Sequence, residues 1–134
     1  MEWILNCIIS TIPAIIGPII NVSVLSNKKV KKVLKTPIDF EKNFIDNKRI
    51  FGNNKTWKGL VLSIILCMLV SVIWGIICKY IPSIGNRNLL YTNYENTILF
   101  NAIIGILYGL FYSLFELPNS FLKRRFDIEP RENQ

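Results

Sequence analysis

WKGLVLSIILCMLVSVIWGIICKY, running from Trp57 to Tyr80, decides the fold. It carries charge only at Lys58 and Lys79, close to its two ends. Crossing the hydrocarbon core of a bilayer takes about 20 apolar residues at ~1.5 Å each, and this block is long enough. Lipid offers no partner to a free amide or carbonyl, so the block is expected to be helical throughout. A soluble domain would instead spread its apolar residues at period 2 or 3.6 among polar ones.

Two further blocks have the same character, Trp3 to about Leu25 and Thr97 to Phe115, and neither contains Asp, Glu, Lys or Arg. With 51% hydrophobic residues gathered into three such blocks, the fold class expected is all-α. The architecture is a polytopic membrane protein of three transmembrane helices, at about 3–25, 57–80 and 97–117. A long basic loop at 27–56 and a tail at 118–134 complete one membrane domain over 1–134. The first block is read as a retained helix rather than a cleaved signal, because only Glu2 precedes it where a signal peptide wants Lys or Arg.

Basic residues set the orientation. Of 16 Lys and Arg, ten lie between Asn27 and Lys58, only Lys79 and Arg87 lie in the second loop, and four follow Ser120. Positive residues in short loops stay on the cytoplasmic side. The expected localisation is therefore the cell membrane, with the N-terminus outside and the first loop and C-terminus cytoplasmic. The same asymmetry accounts for the net charge of +7, so no nucleic-acid partner is invoked.

Local breaks mark helix packing. Pro13, Gly17 and Pro18 favour a bend in the first helix and contact with its neighbours. Gly105 and Gly109 have GxxxG spacing, which permits close helix approach and allows a homo-oligomer through the third helix. Cys7, Cys67 and Cys78 all fall inside apolar blocks without CxxC spacing, and the chain has no His. Zinc and haem sites are thereby disfavoured, and the thiols read as small packing residues.

Chemistry concentrates where the apolar blocks meet the expected inner face. Lys28 to Lys35 need no more than attraction to anionic lipid, about 1 kcal/mol per Lys near the surface. The stretch from Asp46 onward asks for more. Arg49, the Gly52-Asn53-Asn54 turn, Lys55 and Thr56 lead directly into the second helix, offering amides, an ammonium and a hydroxyl to a phosphate. It is not a Walker A loop, because only two residues separate Gly52 from Lys55. In ELPNSFLKRR, Glu116 to Arg125, Pro118 stands where the third helix is expected to end or kink. Ser120, Lys123 and Arg124 then follow at helical spacing. Carboxylates among cations, Glu116 here and Asp46 in the loop, can pair with them or hold a divalent metal. Two basic, hydroxyl-bearing segments around a carboxylate suit a metal-bound polyphosphate better than a bare membrane anchor.

FGNNKTWKGL, Phe51 to Leu60, resembles the FG-x-x-KTW-[RK]-GL signature of CDP-archaeol synthases, relatives of the phosphatidate cytidylyltransferases. ELPNSFLKRRFDIEP, Glu116 to Pro130, is similar to that family's second signature, an acidic residue and Leu ahead of a Ser-Phe-x-Lys-Arg-Arg run. Pro37 to Asp39 and Asp46 to Arg49 match the family's first loop in character. The resemblance implies an integral membrane enzyme that transfers CMP from CTP to a lipid phosphate and releases pyrophosphate, with Mg2+. It implies catalytic roles for Lys55, Ser120, Lys123 and Arg124. Substrate binding would fall to Arg49, Gly52, Asn54, Thr56 and Lys58, and metal binding to Glu116 and Asp46. Partners would be CTP, a phosphorylated lipid and the bilayer.

The chain departs from the pattern at Phe115-Glu116, where the family has Gly-Asp, and at Asn119, where it often has Lys. Glu116 keeps the carboxylate one methylene further out. Family members also continue to an Asp-Gln-x-Asp motif and more helices, so the expectation is the N-terminal part of a longer fold. The competing reading is a non-catalytic membrane protein whose basic inner face binds anionic lipid or a partner.

Overall fold

A computed structural model describes residues 1–33, 38, 40, 42–48, 50–51 and 55–127 of the 134. The expected span regions become three long helices: α1 (Glu2–Leu25), α3 (Trp57–Tyr80) and α6 (Ile98–Arg125). All three are long and apolar enough to cross a membrane, and the chain is a polytopic helical membrane protein. Short helices fill the connections: α2 (Lys28–Val33) after α1, and α4 (Pro82–Gly85) and α5 (Leu90–Asn93) between α3 and α6. No strand occurs among the described residues.

Helix starts are written locally. The Thr56 hydroxyl accepts from the Gly59 amide at 3.1 Å and opens α3; Thr97 accepts from Phe100 at 3.2 Å and opens α6. Each cap satisfies one of the amides that have no intrahelical partner. Pro82 closes α3 by starting α4 as its first residue.

Small residues, not large ones, make the core. The buried positions are Ser10, Pro13, Gly17 and Asn21 on α1, Gly59, Ser63, Cys67, Ser71, Gly75 and Cys78 on α3, and Asn101, Gly105, Gly109 and Ser113 on α6. They recur about every four residues, so each helix presents one narrow stripe to its neighbours. Ile, Leu and Phe cover the outside, the inverse of a soluble protein, because lipid tails accept them without cost. α3 packs extensively along α6, less along α1, and α1 barely touches α6. At Gly105 an added Cβ would stand 2.5 Å from the Met68 Cα, and at Gly109 2.7 Å from the Ile64 Cα. The GxxxG face is therefore occupied by α3 of the same chain. Cys67 and Cys78 are buried free thiols and Cys7 is a half-buried one, in keeping with a packing role.

Two boundaries differ from expectation. The basic loop begins with the α2 helix rather than irregular chain. The third helix does not stop near Leu117 but continues past Pro118 to Arg125. A proline removes one amide and strains one turn, a cost of a few kcal/mol that later contacts can outweigh. Here Phe121 and Arg125, one turn beyond, are gripped by the loop.

Candidate functional site

The end of the bundle where α1 and α6 finish and α3 begins gathers the charged motifs. Lys55 lies just ahead of the Thr56 cap, and its carbonyl accepts from the Ile38 amide at 2.8 Å. Its ammonium meets Glu116 Oε2 at 2.6 Å, with both side chains about a quarter to a third exposed. Tyr112, one turn back on α6, donates to the other oxygen, Oε1, at 3.2 Å. Beside this pair is a cavity of about 30 Å³, lined among others by Thr56, Gly59, Ser63 and Ser113. Its floor is fixed by Ser63, which donates to Asn21 Oδ1 at 3.0 Å and so ties α3 to α1.

A second set of contacts holds the loop against the end of α6. Asp46 forms an ion pair with Arg125, and its Oδ1 accepts from the Lys48 amide at 3.1 Å. Lys48 pairs with Asp127 at 2.6 Å. The Arg125 guanidinium lies 4.6 Å from the centroid of Phe121 and 5.2 Å from that of Phe44, and these two rings meet edge to face at 5.3 Å. Cation–π and ring contacts of this kind are worth about 0.5–1.5 kcal/mol each. The Arg125 hydrogen bond, helped by the Lys48 amide, holds the Asp46 carboxyl below its usual range.

Several sequence-derived site residues therefore share one end. Lys55, Thr56 and Glu116 line one cavity. Ser120, Lys123 and Arg124 follow Glu116 on the same side of α6, at its helical repeat. Ser120 is half-buried and Lys123 exposed; neither has a hydrogen-bond or ion-pair partner among the described residues. Asp46 stands apart, in the Arg125 clasp. Lys58 is exposed on the far side of α3, away from Lys55. Arg49, Gly52 and Asn54, like Pro37, Asp39 and Asn53, lie outside the described residues.

Sequence reading missed Tyr112, Arg125, Lys48, Asp127, Asn21 and Ser63. The signal for Asn21 and Ser63 was present, as polar residues inside apolar blocks. Nothing local marked Arg125 apart from its two basic neighbours.

Among the described residues, no group of three or more His, Cys, Asp and Glu could hold a metal ion. The arrangement offers one well-placed carboxylate, Glu116. That fits a metal carried in on phosphates, which magnesium commonly is, with one or two carboxylates completing its shell.

Fold and site together define a helical membrane protein with a compact, half-buried charged site at one end of its bundle. Its sequence matches the family model described as CarS-like, CDP-archaeol synthase, over residues 3–133. Among similar proteins, the CDP-archaeol synthase of Pyrococcus furiosus is 36% identical over 95 residues, 71% of this chain and 48% of that protein. That of Methanocaldococcus jannaschii is 33% identical over 94 residues, 70% and 50% of the two chains. That of Archaeoglobus fulgidus is 36% identical over 94, covering 70% and 49%. The chain belongs to the CDP-archaeol synthase family. It spans about half the length of the curated relatives it matches. No solved structure matches it significantly.

Proposed function

We propose that this protein takes part in CTP-dependent cytidylyl transfer, moving CMP from CTP to a phosphorylated membrane lipid to give a CDP-lipid and pyrophosphate. The observation carrying this reading is the Lys55–Glu116 contact at 2.6 Å, which joins two family motifs far apart in the chain. The relatives, CDP-archaeol synthases by name, support the product class.

In the reaction an oxygen of the lipid phosphate attacks the α-phosphorus of CTP. The bond from that phosphorus to the bridging oxygen breaks, and pyrophosphate leaves. The lipid phosphate is the nucleophile, so no Ser or Cys nucleophile is needed. Positioning and charge stabilisation carry such transfers. A triphosphate is far larger than the cavity of about 30 Å³, so it would bind across the cavity's mouth, where its charge would compete with Glu116 for Lys55. A divalent metal, magnesium by the family resemblance, would be held by the phosphates with Glu116 and would supply charge neutralisation. Ser120, Lys123 and Arg124 line the way along α6 toward the phosphates. By the family resemblance Arg49, Gly52 and Asn54 would add phosphate contacts to that of Thr56, the residue that caps α3. Asp46 acts differently, fixing the loop through Arg125. The site faces the cytoplasm, where CTP is available, and the outer loop lies outside.

The assay is release of labelled pyrophosphate from CTP by purified protein in lipid discs. Release that needs both the divalent metal and an added lipid phosphate is expected. Equal release with and without the lipid phosphate would overturn the transfer reading.

A further inference from the structure

Tyr112 stands one helical turn before Glu116, on the same face of α6. Its hydroxyl donates to Glu116 Oε1 at 3.2 Å, while Lys55 holds Oε2 at 2.6 Å. Each oxygen of the carboxylate thus has its own partner, and the two partners differ in kind. Lys55 belongs to another segment and carries a charge for which a phosphate competes. Tyr112 is neutral and rides on the same helix as Glu116, so its contact survives the arrival of an anion. A tyrosine that only marks a membrane interface keeps its hydroxyl in the head-group layer. Tyr80 at the end of α3, 80% exposed, has that character, whereas Tyr112 is half-buried and turned toward the site. Tyr108, one turn deeper, has no hydrogen-bond partner among the described residues.

We infer that Tyr112 is a positioning residue for Glu116: it holds Oε1, so that the carboxylate keeps its place when Lys55 turns to the phosphates and offers a divalent metal Oε2 alone. The inference rests on the transfer reading above and deepens it. The long Glu116 side chain, released by Lys55 with no second hold, would spread over several rotamers and lose that freedom again on meeting a metal. A carboxylate already held by an outer partner loses less, which is the usual role of a hydrogen bond behind a metal ligand. The hold also discriminates between metals. Magnesium is small and strictly octahedral, and the two oxygens of one carboxylate lie too close together to fill two of its corners. Calcium, with a larger and looser shell, takes both. With Oε1 engaged by Tyr112, Glu116 suits magnesium better than calcium.

The test reads binding rather than turnover. Protein in lipid discs is titrated with magnesium or with calcium in the presence of a radiolabelled CTP analogue. A methylene group replaces the oxygen between its α- and β-phosphorus, so it cannot react. The readout is the metal concentration that gives half-maximal binding of the analogue. Tyr112→Phe should raise that concentration about tenfold for magnesium, the low end of what losing such an outer partner costs a metal site, and much less for calcium. Glu116→Gln should raise it for both metals. Adding Tyr112→Phe to Glu116→Gln should bring no further loss, because Tyr112 acts only through Glu116. Tyr108→Phe should match the parent. The assignment is overturned if Tyr112→Phe matches the parent, weakens magnesium and calcium alike, or adds in full to Glu116→Gln. Metal dependence unchanged in Glu116→Gln, or no metal-dependent binding of the analogue at all, overturns it too. Pyrophosphate release by a protein whose metal dependence ignores Tyr112 refutes the positioning role alone. The expected shift in a protein that shows no transfer refutes the reaction and leaves Tyr112 orienting a nucleotide–metal site.

Discussion

At the end where α1 begins and α3 finishes, the Tyr91 hydroxyl donates to Asn101 Oδ1 at 2.6 Å. Asn101 donates to Asn96 at 2.7 Å, and Asn96 to the Gly75 carbonyl at 2.8 Å. Ser10 accepts from the Leu89 amide at 2.8 Å, tying the connection between α3 and α6 to α1. At the opposite end the joints are ion pairs: Lys55 with Glu116, Arg125 with Asp46, Lys48 with Asp127. The neutral network is part-buried, and its hydroxyl and amide groups are paired with one another and with the Gly75 carbonyl. Burial first, and the nearby Cys78 next, push the Tyr91 phenol up to about 12, while its hydrogen bond to Asn101 opposes this. The ion pairs are part-exposed, and a polyanion can take over their cations. Neutral hydrogen bonds tie one end of the bundle together; ion pairs mark the end that carries the candidate site.

Breaking the working end should have the largest effect. Lys55→Ala, Glu116→Gln and Lys123→Ala are each expected to slow CMP transfer by about 30- to 1,000-fold, the loss of one preorganised charged contact. Their thermal unfolding midpoints should stay within a few degrees of the parent. Lys28→Ala should stay within about tenfold in the same pyrophosphate-release assay. If all three site variants match the parent, the basic inner face is an anchor and the contrast between the ends has no functional meaning.

Next comes the seam between the ends. Gly105→Leu drives a side chain into the Met68 backbone and should cost about 1–3 kcal/mol of stability. Leu107→Ala, on the lipid-facing side, should cost much less. Denaturant unfolding in detergent compares them, and equal losses would mean that α3 and α6 do not pack through the glycines.

At the holding end Tyr91→Phe should cost about 0.6–1.7 kcal/mol, the range for hydrogen bonds between membrane helices, with little loss of transfer. The raised phenol value also fixes a sign. Tyr91 contributes stability below its ordinary value of 10.0, and that contribution is lost as pH rises toward about 12. Unfolding midpoints between pH 9 and 12 should therefore fall less steeply in Tyr91→Phe than in the parent.

The smallest effect belongs to the clasp. Because Asp46 is held below its ordinary 3.8, its contribution is present at neutral pH, persists as pH falls to about 4, and disappears below that. Asp46→Asn should raise proteolytic cutting in the 42–48 loop a few-fold at pH 7 and remove the increase the parent shows below pH 4. An unchanged cutting rate would mean that the rings and the Lys48–Asp127 pair hold the loop without Asp46.

The spans were legible because lipid imposes a length and a composition that no soluble fold shares. The site was legible in part, since Lys55, Thr56 and Glu116 stand in recognisable motifs beside helix ends. The extension of α6 was not, because Pro118 is a fair stop signal, and what carries the helix past it is the grip of the loop on Phe121 and Arg125. The role of Asp46 was not either: a carboxylate among cations reads the same whether it awaits a metal or already holds an arginine.

The sequence by itself determined that three helices cross the membrane, that one end is basic, and that two family motifs belong to that end. Only the tertiary structure decided which charges meet there and which turn away. Around α3 nearly every face is apolar, so no polar stripe announces an inside. The stripe of small residues at Gly59, Ser63, Cys67, Ser71 and Gly75 becomes the inner face only when α6 closes on it. Once it does, the ~100° turn per residue directs Thr56, Gly59 and Ser63 toward the Glu116 cavity, and Trp57, Lys58 and Val61 toward a groove against α2.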